Sequence, residues 1–206
     1  MSQRAGTLHA DVDLFTEQAA SSRRATPPHM TLTPSRKTAG LSLHRPDAAC
    51  TAAYERFFTD GSASDGYGGA PLSVDGARAR LAKDREAWER QGFGLWAIHD
   101  HGAPIGACGF AQKPGWPREL TWWLLPAFRG RGIAFAASRA ALAHAYDHFR
   151  WPTVETYMKD SNRAARALAL RLGGVPIDRT VFPDGIARDR FRLPPPPAGA
   201  FIPIQP

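Results

Sequence analysis

The chain has 206 residues, enough for one domain with a hydrophobic core, and its 43% hydrophobic and 22% charged residues are usual for a soluble protein. No run approaches the roughly 18 apolar residues that span a bilayer, so we expect no membrane partner. The net charge of +7 suits either a nucleic-acid binder or a pocket for the phosphates of a nucleotide cofactor. Because the arginines are scattered and form no single tract, the pattern disfavours nucleic acid.

The two cysteines, Cys50 and Cys108, are too few for a disulfide framework or a zinc site, and they favour a reducing compartment. The first 18 residues lack an apolar h-region and carry three acidic residues, which argues against a signal or transit peptide. We therefore expect a cytoplasmic protein, a monomer or a homodimer.

The ends of the chain differ in composition from its middle. Residues 1–38 mix Ser, Thr, Arg and Pro around the breaker Pro27-Pro28, so we expect a polar extension outside the folded domain. Near the other end, Pro194 to Pro197 lack four consecutive backbone donors and cannot continue a central strand. The domain is therefore expected over residues 39–193, with a Pro-rich tail over 194–206 and the fold closing near Leu193.

Hydrophobic periodicity predicts strands and helices in a definite order. The predicted strands cover residues 41–45, 95–99, 104–112, 119–125, 153–158, 175–180 and 186–193. The predicted helices cover residues 46–58, 73–92, 133–148 and 162–172, with a loop over 61–69. A helix separates the strand at 119–125 from the strand at 153–158, and such a step implies a parallel crossover. The pattern indicates an α/β fold with a mixed sheet, antiparallel at first and parallel in the middle, flanked by helices.

The segment from Arg129 to Ala134 lies between a predicted strand and a predicted helix, where free backbone N–H groups and the helix dipole favour an anion. Gly130 and Gly132 would let the backbone approach phosphate oxygens, and Arg129 and Arg131 would add charge-assisted donors. An ordinary tight turn with exposed arginines is the alternative. No Gly-Lys-Ser/Thr ending follows, which excludes a P-loop.

This segment, Arg129-Gly130-Arg131-Gly132-Ile133-Ala134, resembles the Arg/Gln-x-x-Gly-x-Gly/Ala motif of the GNAT superfamily of N-acetyltransferases. The preceding strand, Glu119 to Pro126, and the downstream Asp160-Ser161-Asn162 resemble the segments that flank this motif. The resemblance extends from about Leu41 to Leu193 and is closest to the RimJ/RimL-like branch, the ribosomal-protein alanine N-acetyltransferases. It implies a GNAT-like fold and acetyl-CoA as co-substrate.

The resemblance also assigns roles in binding the cofactor. It implies that the backbone amides from Arg129 to Ala134, that of Ile133 included, bind the pyrophosphate of coenzyme A. It implies that Leu124 and Leu125 hydrogen-bond to the pantetheine arm, in a gap between two parallel strands. Asn162 is expected to cap its helix and to contact the cofactor.

Direct attack on a thioester needs a neutral amine and a group that takes the amine proton. By period two, Glu119 shares a strand face with Thr121 and Trp123, and GNAT enzymes often place a carboxylate there. We therefore predict Glu119 as the base, acting through water. The alternative is a surface glutamate paired with an arginine.

One position departs from the family pattern. Relatives have an Asn-x-x-Ser pattern whose serine can contact the leaving sulfur, and Ala165 stands at the serine position here. Tyr157 and Ser161 are the substitutes available as general acid. Because a thiol has a pKa of about 8.5, its thiolate is a tolerable leaving group, and a strong acid is not required.

Tyr67 and Trp116 lie in loops flanked by Gly or Pro, where an aromatic side chain can line an acceptor pocket. His144 and His148 are four apart on a predicted helix but have no evident third ligand, so we expect no metal. We thus predict an acetyl-CoA-dependent N-acetyltransferase whose acceptor is a primary amine, either a small amine or a protein N-terminus. The alternatives are a non-catalytic acyl-CoA-binding module, favoured by Ala165, and a basic ribosome- or nucleic-acid-associated protein, favoured by the charge.

Overall fold

A computed structural model of the chain describes residues 38–64, 67, 70–182, 184–199 and 201–205. The predicted N-terminal extension lies outside these residues except for Thr38. The strands are β1 Leu41–His44, β2 Leu95–Asp100, β3 Ala103–Ala111, β4 Glu119–Leu124, β5 Val154–Met158, β6 Val175–Val181 and β7 Ala187–Leu193. The helices are α1 Thr51–Phe58, α2 Gly61–Ser64, α3 Val74–Gln91, α4 Ile133–Asp147 and α5 Arg163–Arg171.

In the described part of the chain the seven strands form one sheet, in the order β1-β2-β3-β4-β5-β7-β6. Strands β1 to β4 are antiparallel neighbours, and β5, β7 and β6 are antiparallel as well. β4 and β5 are parallel, and α4 lies between them in the chain. This order confirms the predicted mixed sheet with a parallel pair in its middle.

The core lies on both faces of the sheet, because side chains alternate along each strand. Leu120 and Leu124 of β4 pack in the cluster that contains the buried faces of α4 and α5. Trp123 of the same strand packs in the cluster that contains α1 and α3. The alternation of β4 therefore places consecutive residues in different layers.

The helix ends follow local chemistry. The Ser73 side chain accepts a hydrogen bond from the Gly76 N–H at 3.0 Å and begins α3, as predicted. Gly92 ends α3 in the left-handed conformation, with φ of 71°. Asn162 caps α5 by accepting from the Ala165 N–H at 3.0 Å.

Two sequence expectations need correction. The predicted loop at 61–69 begins with the short helix α2, because Asp60 accepts hydrogen bonds from the N–H groups of Ser62 and Ala63. The fold also does not close at Leu193. The Leu43 N–H donates to the Pro203 carbonyl at 2.9 Å, and the tail returns along β1.

Candidate active site

The parallel strands β4 and β5 separate immediately after they meet. In the described residues their register consists of the pair Glu119 and Glu155. The Glu155 N–H donates to the Arg118 carbonyl at 3.0 Å, and the strands then diverge. A cavity of about 460 Å³ lies along β4 beyond this point, and Thr156 and Tyr157 of β5 contribute to its other wall.

The cavity brings together ten of the residues singled out in the sequence. They are Glu119, Tyr157, Leu124, Arg129, Gly130, Gly132, Ile133, Ala134, Asn162 and Tyr67. Leu125, Arg131 and Trp116 are not among the residues that line it.

The glycine loop presents open space and free amides. Gly130 and Gly132 have φ of 73° and 80°, and a Cβ built on either would meet no other heavy atom within 4 Å. Gly132 precedes α4, which has no side-chain cap, so the amides of its first turn, Ile133 and Ala134 among them, are available to an anion. The loop therefore fits a pyrophosphate held by backbone N–H groups.

The two arginines of the loop make contacts within the protein. Arg129 donates from Nε to the Leu124 carbonyl at 3.1 Å and from its guanidinium to the Ala63 carbonyl, so it ties the loop to β4 and α2. Arg131 lies outside the cavity lining, half-exposed, with its guanidinium over the Phe128 ring. We therefore expect the backbone amides to contribute more to an anion site here than these arginine side chains.

The backbone of β4 alternates between β3 and the gap toward β5. Leu125 donates its N–H to the Ile105 carbonyl at 3.0 Å, and its own carbonyl accepts from Phe128 at 2.9 Å. Its N–H is therefore unavailable to the pantetheine arm, whereas its carbonyl oxygen can still accept a second hydrogen bond, so the role expected of Leu125 stays a prediction. The same alternation turns the backbone of Trp122 and the N–H of Leu124 toward the gap.

Glu119 lies half-buried in the cavity wall. Burial raises the pKa of its carboxyl to about 7, against the opposing effect of the cations Lys113, Arg188 and Arg80. Among the described residues no ion pair within 4 Å involves Glu119, although Arg188 and Arg80 act on it electrostatically. A carboxyl with this pKa can exchange protons near neutral pH.

Comparison with known proteins agrees with this geometry. The profile of the acetyltransferase (GNAT) domain family matches residues 41–175. The chain belongs to the GNAT acetyltransferase family. Membership confirms the predicted fold and the predicted class, an acetyltransferase with acetyl-CoA as co-substrate.

Solved structures show the same fold. An acetyltransferase from Agrobacterium tumefaciens is 29% identical, with a TM-score of 0.67, and the match covers 75% of this chain and 90% of that one. The yncA protein of Salmonella typhimurium, determined with its cofactor acetyl-CoA, is 17% identical, with a TM-score of 0.60 and coverage of 78% and 97%. RimL, an alpha-N-protein acetyltransferase of a ribosomal protein, determined with coenzyme A, is 15% identical, with a TM-score of 0.62 and coverage of 79% and 94%.

Tyr157 of this GNAT domain lines the cavity but directs its proton elsewhere. Its hydroxyl donates to Glu155 at 2.9 Å, and Glu155 is only 3% exposed. Burial and this hydrogen bond raise the pKa of the Tyr157 hydroxyl. The geometry does not favour Tyr157 as a proton donor to a leaving group in the cavity.

The two aromatic residues predicted to line the acceptor pocket separate in the structure. Tyr67 lines the cavity beside Phe57, and its ring meets that of Phe57 edge to face at 5.7 Å. Trp116 packs edge to face against Tyr157 at 5.8 Å and stacks on Phe182 at 4.7 Å. It contacts the cavity wall through Tyr157.

Sequence reasoning missed several residues of the cavity wall. They include Phe57, Ala63, Thr121, Trp122, Phe135, Thr156, Leu168 and Arg171. Thr121 could have been found, because it shares the strand face of Glu119. Arg171 could not have been found in this way. The packing of α5 on α4 brings its guanidinium within 4.1 Å of the Phe135 ring centroid, and no local sequence pattern predicts that contact.

The described residues contain neither a metal-binding cluster nor a membrane-spanning helix. No group of three or more His, Cys, Asp or Glu side chains is placed to hold a metal ion, although His144 and His148 stack at 4.4 Å. No helix in this part of the chain is long and apolar enough to cross a membrane.

Proposed function

We propose that this GNAT domain transfers an acetyl group from acetyl-CoA to a primary amine by direct attack in the cavity between β4 and β5. One observation carries the proposal: the glycine loop and a half-buried glutamate, which forms no ion pair within the described part of the chain, lie on the walls of one cavity. The first element suits an anionic cofactor, and the second suits removal of a proton.

Acetyl-CoA, when bound, supplies a thioester whose carbonyl carbon accepts an amine. The protein contributes the contacts that hold it. The amides of the first turn of α4, from Ile133 onward, bind the pyrophosphate. The gap-facing backbone of Trp122 and the N–H of Leu124 hydrogen-bond to the pantetheine arm, and Asn162, whose side chain caps α5, contacts the cofactor from the other wall.

Glu119 acts as the base through a water molecule. With a pKa of about 7, it is substantially ionised at neutral pH and still basic enough to accept a proton. Its base role requires it to be deprotonated, so turnover should rise with pH through this pKa. A thiolate leaves without strong acid assistance, which is compatible with Ala165 at the serine position and with Tyr157 bonded to Glu155.

Phe57 of α1 packs against Tyr67 and Trp123, and all three residues line the cavity with Glu119. We propose that the acceptor binds at this part of the wall. The indole Nε1 of Trp123 is buried without a hydrogen-bond partner among the described residues. A hydrogen-bond-accepting group of the bound amine substrate, or a water molecule, would satisfy this N–H. The acceptor is a small amine or a protein N-terminus, the second in keeping with the RimJ/RimL-like resemblance.

Both cysteines are buried free thiols. We propose that the protein works in the cytoplasm, where thiols stay reduced.

Release of free thiol from acetyl-CoA, followed across a panel of small amines and N-terminal peptides, tests the proposed function. We expect release that depends on an amine and is matched by one acetylated product. Tight binding of acetyl-CoA with no release for any amine would instead support the non-catalytic binding module.

A further inference from the structure

A buried polar chain connects α1, α3 and the segment after α2. The Tyr54 hydroxyl donates to Asp84 at 3.0 Å, and Nε of Arg80 donates to the two oxygens of Asp84 at 3.1 and 3.3 Å. Asp84 is 6% exposed and Tyr54 is 1% exposed. Because a buried carboxylate without partners is costly, Asp84 requires these donors.

The chain ends at the cavity. Arg80 donates from its terminal nitrogen to the Tyr67 hydroxyl at 3.3 Å. Its guanidinium also lies 5.6 Å from the ring centroid of Phe58 and 5.8 Å from that of Tyr67. Tyr67 lines the same cavity as Thr121 and Glu119 of β4. The polar chain thus reaches from the core to the wall of the cavity that contains Glu119.

The guanidinium keeps its charge in this setting. Burial opposes the charged form, but Tyr67 and Asp84 outweigh it and raise the pKa of Arg80. Burial raises the pKa of the Asp84 carboxyl, and Arg80 and Tyr54 oppose that rise. Since a guanidinium does not lose its proton in proteins, we treat the two as an ion pair.

We propose that Arg80 is a positioning residue for the acceptor end of the cavity: held by Asp84, it fixes the Tyr67 hydroxyl in the wall and places a positive charge near Glu119. This inference rests on the proposed function, because it assigns Arg80 a part in preparing the base and the acceptor site.

Several other groups act on Glu119 or are acted on by it. They are Lys113 before β4, Arg188 of β7, Tyr157 of β5 and Tyr67 after α2. Lys113 and Arg188, like Arg80, lower the pKa of Glu119. Arg80 differs from Lys113 in being tied to Tyr67. Removal of Lys113 should therefore disturb the base alone, and removal of Arg80 should disturb the base and the acceptor wall together.

The test compares variants that separate the effect of the Arg80 charge on Glu119 from the effect of the hydrogen bond between Arg80 and Tyr67. Arg80→Met combined with Asp84→Asn removes the ion pair without leaving a carboxylate unpaired in the core. Tyr67→Phe removes only the hydroxyl that Arg80 holds. Lys113→Gln removes a cation that is not bonded to Tyr67, and Arg78→Met removes an exposed arginine of the same helix that pairs with Glu55 at 2.7 Å.

Two readouts are needed. A carboxyl ¹³C NMR titration follows the glutamates, and the resonance missing in Glu119→Gln identifies Glu119. In the Arg80→Met/Asp84→Asn variant we expect the Glu119 midpoint to move above its wild-type value, because a nearby cation is gone. We expect the acceptor KM to rise about 3- to 10-fold, as for the loss of one hydrogen bond, with acetyl-CoA affinity unchanged.

The controls should separate the effect on the titration midpoint of Glu119 from the effect on the acceptor KM. Lys113→Gln should raise the Glu119 midpoint with acceptor KM little changed, and Arg78→Met should change neither. Tyr67→Phe should raise acceptor KM as far as the double variant, and adding it to that variant should have little further effect. If the double variant folds poorly, Tyr67→Phe alone still tests the proposal, because an acceptor KM equal to wild type would show that the hydroxyl held by Arg80 has no part in acceptor binding.

A Glu119 midpoint and an acceptor KM both equal to wild type, in a folded double variant, would overturn the role of Arg80. A wild-type protein that releases no thiol with any amine would overturn the proposed function instead. The NMR titration would still decide whether Arg80 acts on Glu119.

Discussion

Glu119 and Glu155 form the register pair at which the parallel strands β4 and β5 meet, and in the described chain their ladder extends no further. Glu119 lines the cavity that opens beyond this pair, whereas Glu155 is buried and accepts a hydrogen bond from the Tyr157 hydroxyl. Two glutamates at one level of the sheet therefore have different environments. Glu119 can exchange a proton with a molecule bound in the cavity, and Glu155 holds the Tyr157 side chain by a hydrogen bond.

Glu119→Gln preserves size and much of the hydrogen bonding but removes the basic oxygen. We expect the chemical step to slow by roughly 10²- to 10⁴-fold, with acetyl-CoA affinity little changed. An α-amine has a pKa of about 8 and a lysine of about 10.4, so more of the acceptor amine is already deprotonated as the pH rises, and the variant should recover rate. Wild-type turnover over the whole pH range would make Glu119 a structural carboxylate.

Tyr157→Phe should have a small effect, a loss of less than about 10-fold in kcat, since the hydroxyl donates to Glu155 and its raised pKa makes it a weak acid. Steady-state kinetics with an amine identified in the panel measures this. A loss of about 100-fold or more, with acetyl-CoA binding intact, would restore Tyr157 as the general acid.

Local signals in the sequence located most elements, and long-range contacts account for what was missed. Ser73 and Asn162 cap helices through bonds to residues three positions away, so the chain alone reveals them. The hydrogen bond from the Leu125 N–H to the Ile105 carbonyl depends on a partner strand. The contact of Trp116 with Tyr157 depends on how a loop packs. Neither has a local pattern.

The buried chain through Arg80 was missed for the same reason. Asp84 falls on the apolar face of α3 at helical spacing, beside Leu81 and Trp88. A carboxylate at such a position signals a buried partner, but the sequence does not say that Tyr54, thirty residues earlier, supplies it. The sequence therefore locates the glycine loop and the strand that carries Glu119, whereas the contacts of the buried chain depend on the fold.

Ile202→Ala should destabilise the domain, although it lies in a tail that the sequence places outside the fold. Ile202 is 3% exposed and packs in the core beside α4. Truncating a buried isoleucine costs about 2–5 kcal/mol. Ile186→Ala, at an exposed isoleucine, is the matched control and should cost far less. Equal unfolding free energies for the two variants would show that the tail adds nothing to the core.

Removing residues 1–37 should leave the melting temperature nearly unchanged, because their polar, Pro-broken composition is not that of a core segment. The deletion keeps Thr38, whose carbonyl accepts from the Leu41 N–H at 3.1 Å. Differential scanning calorimetry of the two chains makes the comparison. A loss of several degrees would mean that the segment stabilises the domain, and its boundary would move toward the N-terminus.

Calorimetric titration of acetyl-CoA into Gly132→Glu measures most directly whether the coenzyme binds where β4 and β5 diverge. Gly102→Glu is the matched control. A glutamate would be strained to a similar degree at the φ of 83° of Gly102 and at the φ of 80° of Gly132, and both positions face open space. Gly102, however, lies in the turn between β2 and β3. We expect Gly102→Glu to bind like wild type. Gly132→Glu should show no binding, since a side chain and a negative charge would occupy the pyrophosphate site. Unchanged affinity in a folded Gly132→Glu variant would contradict the assignment of this cavity to acetyl-CoA.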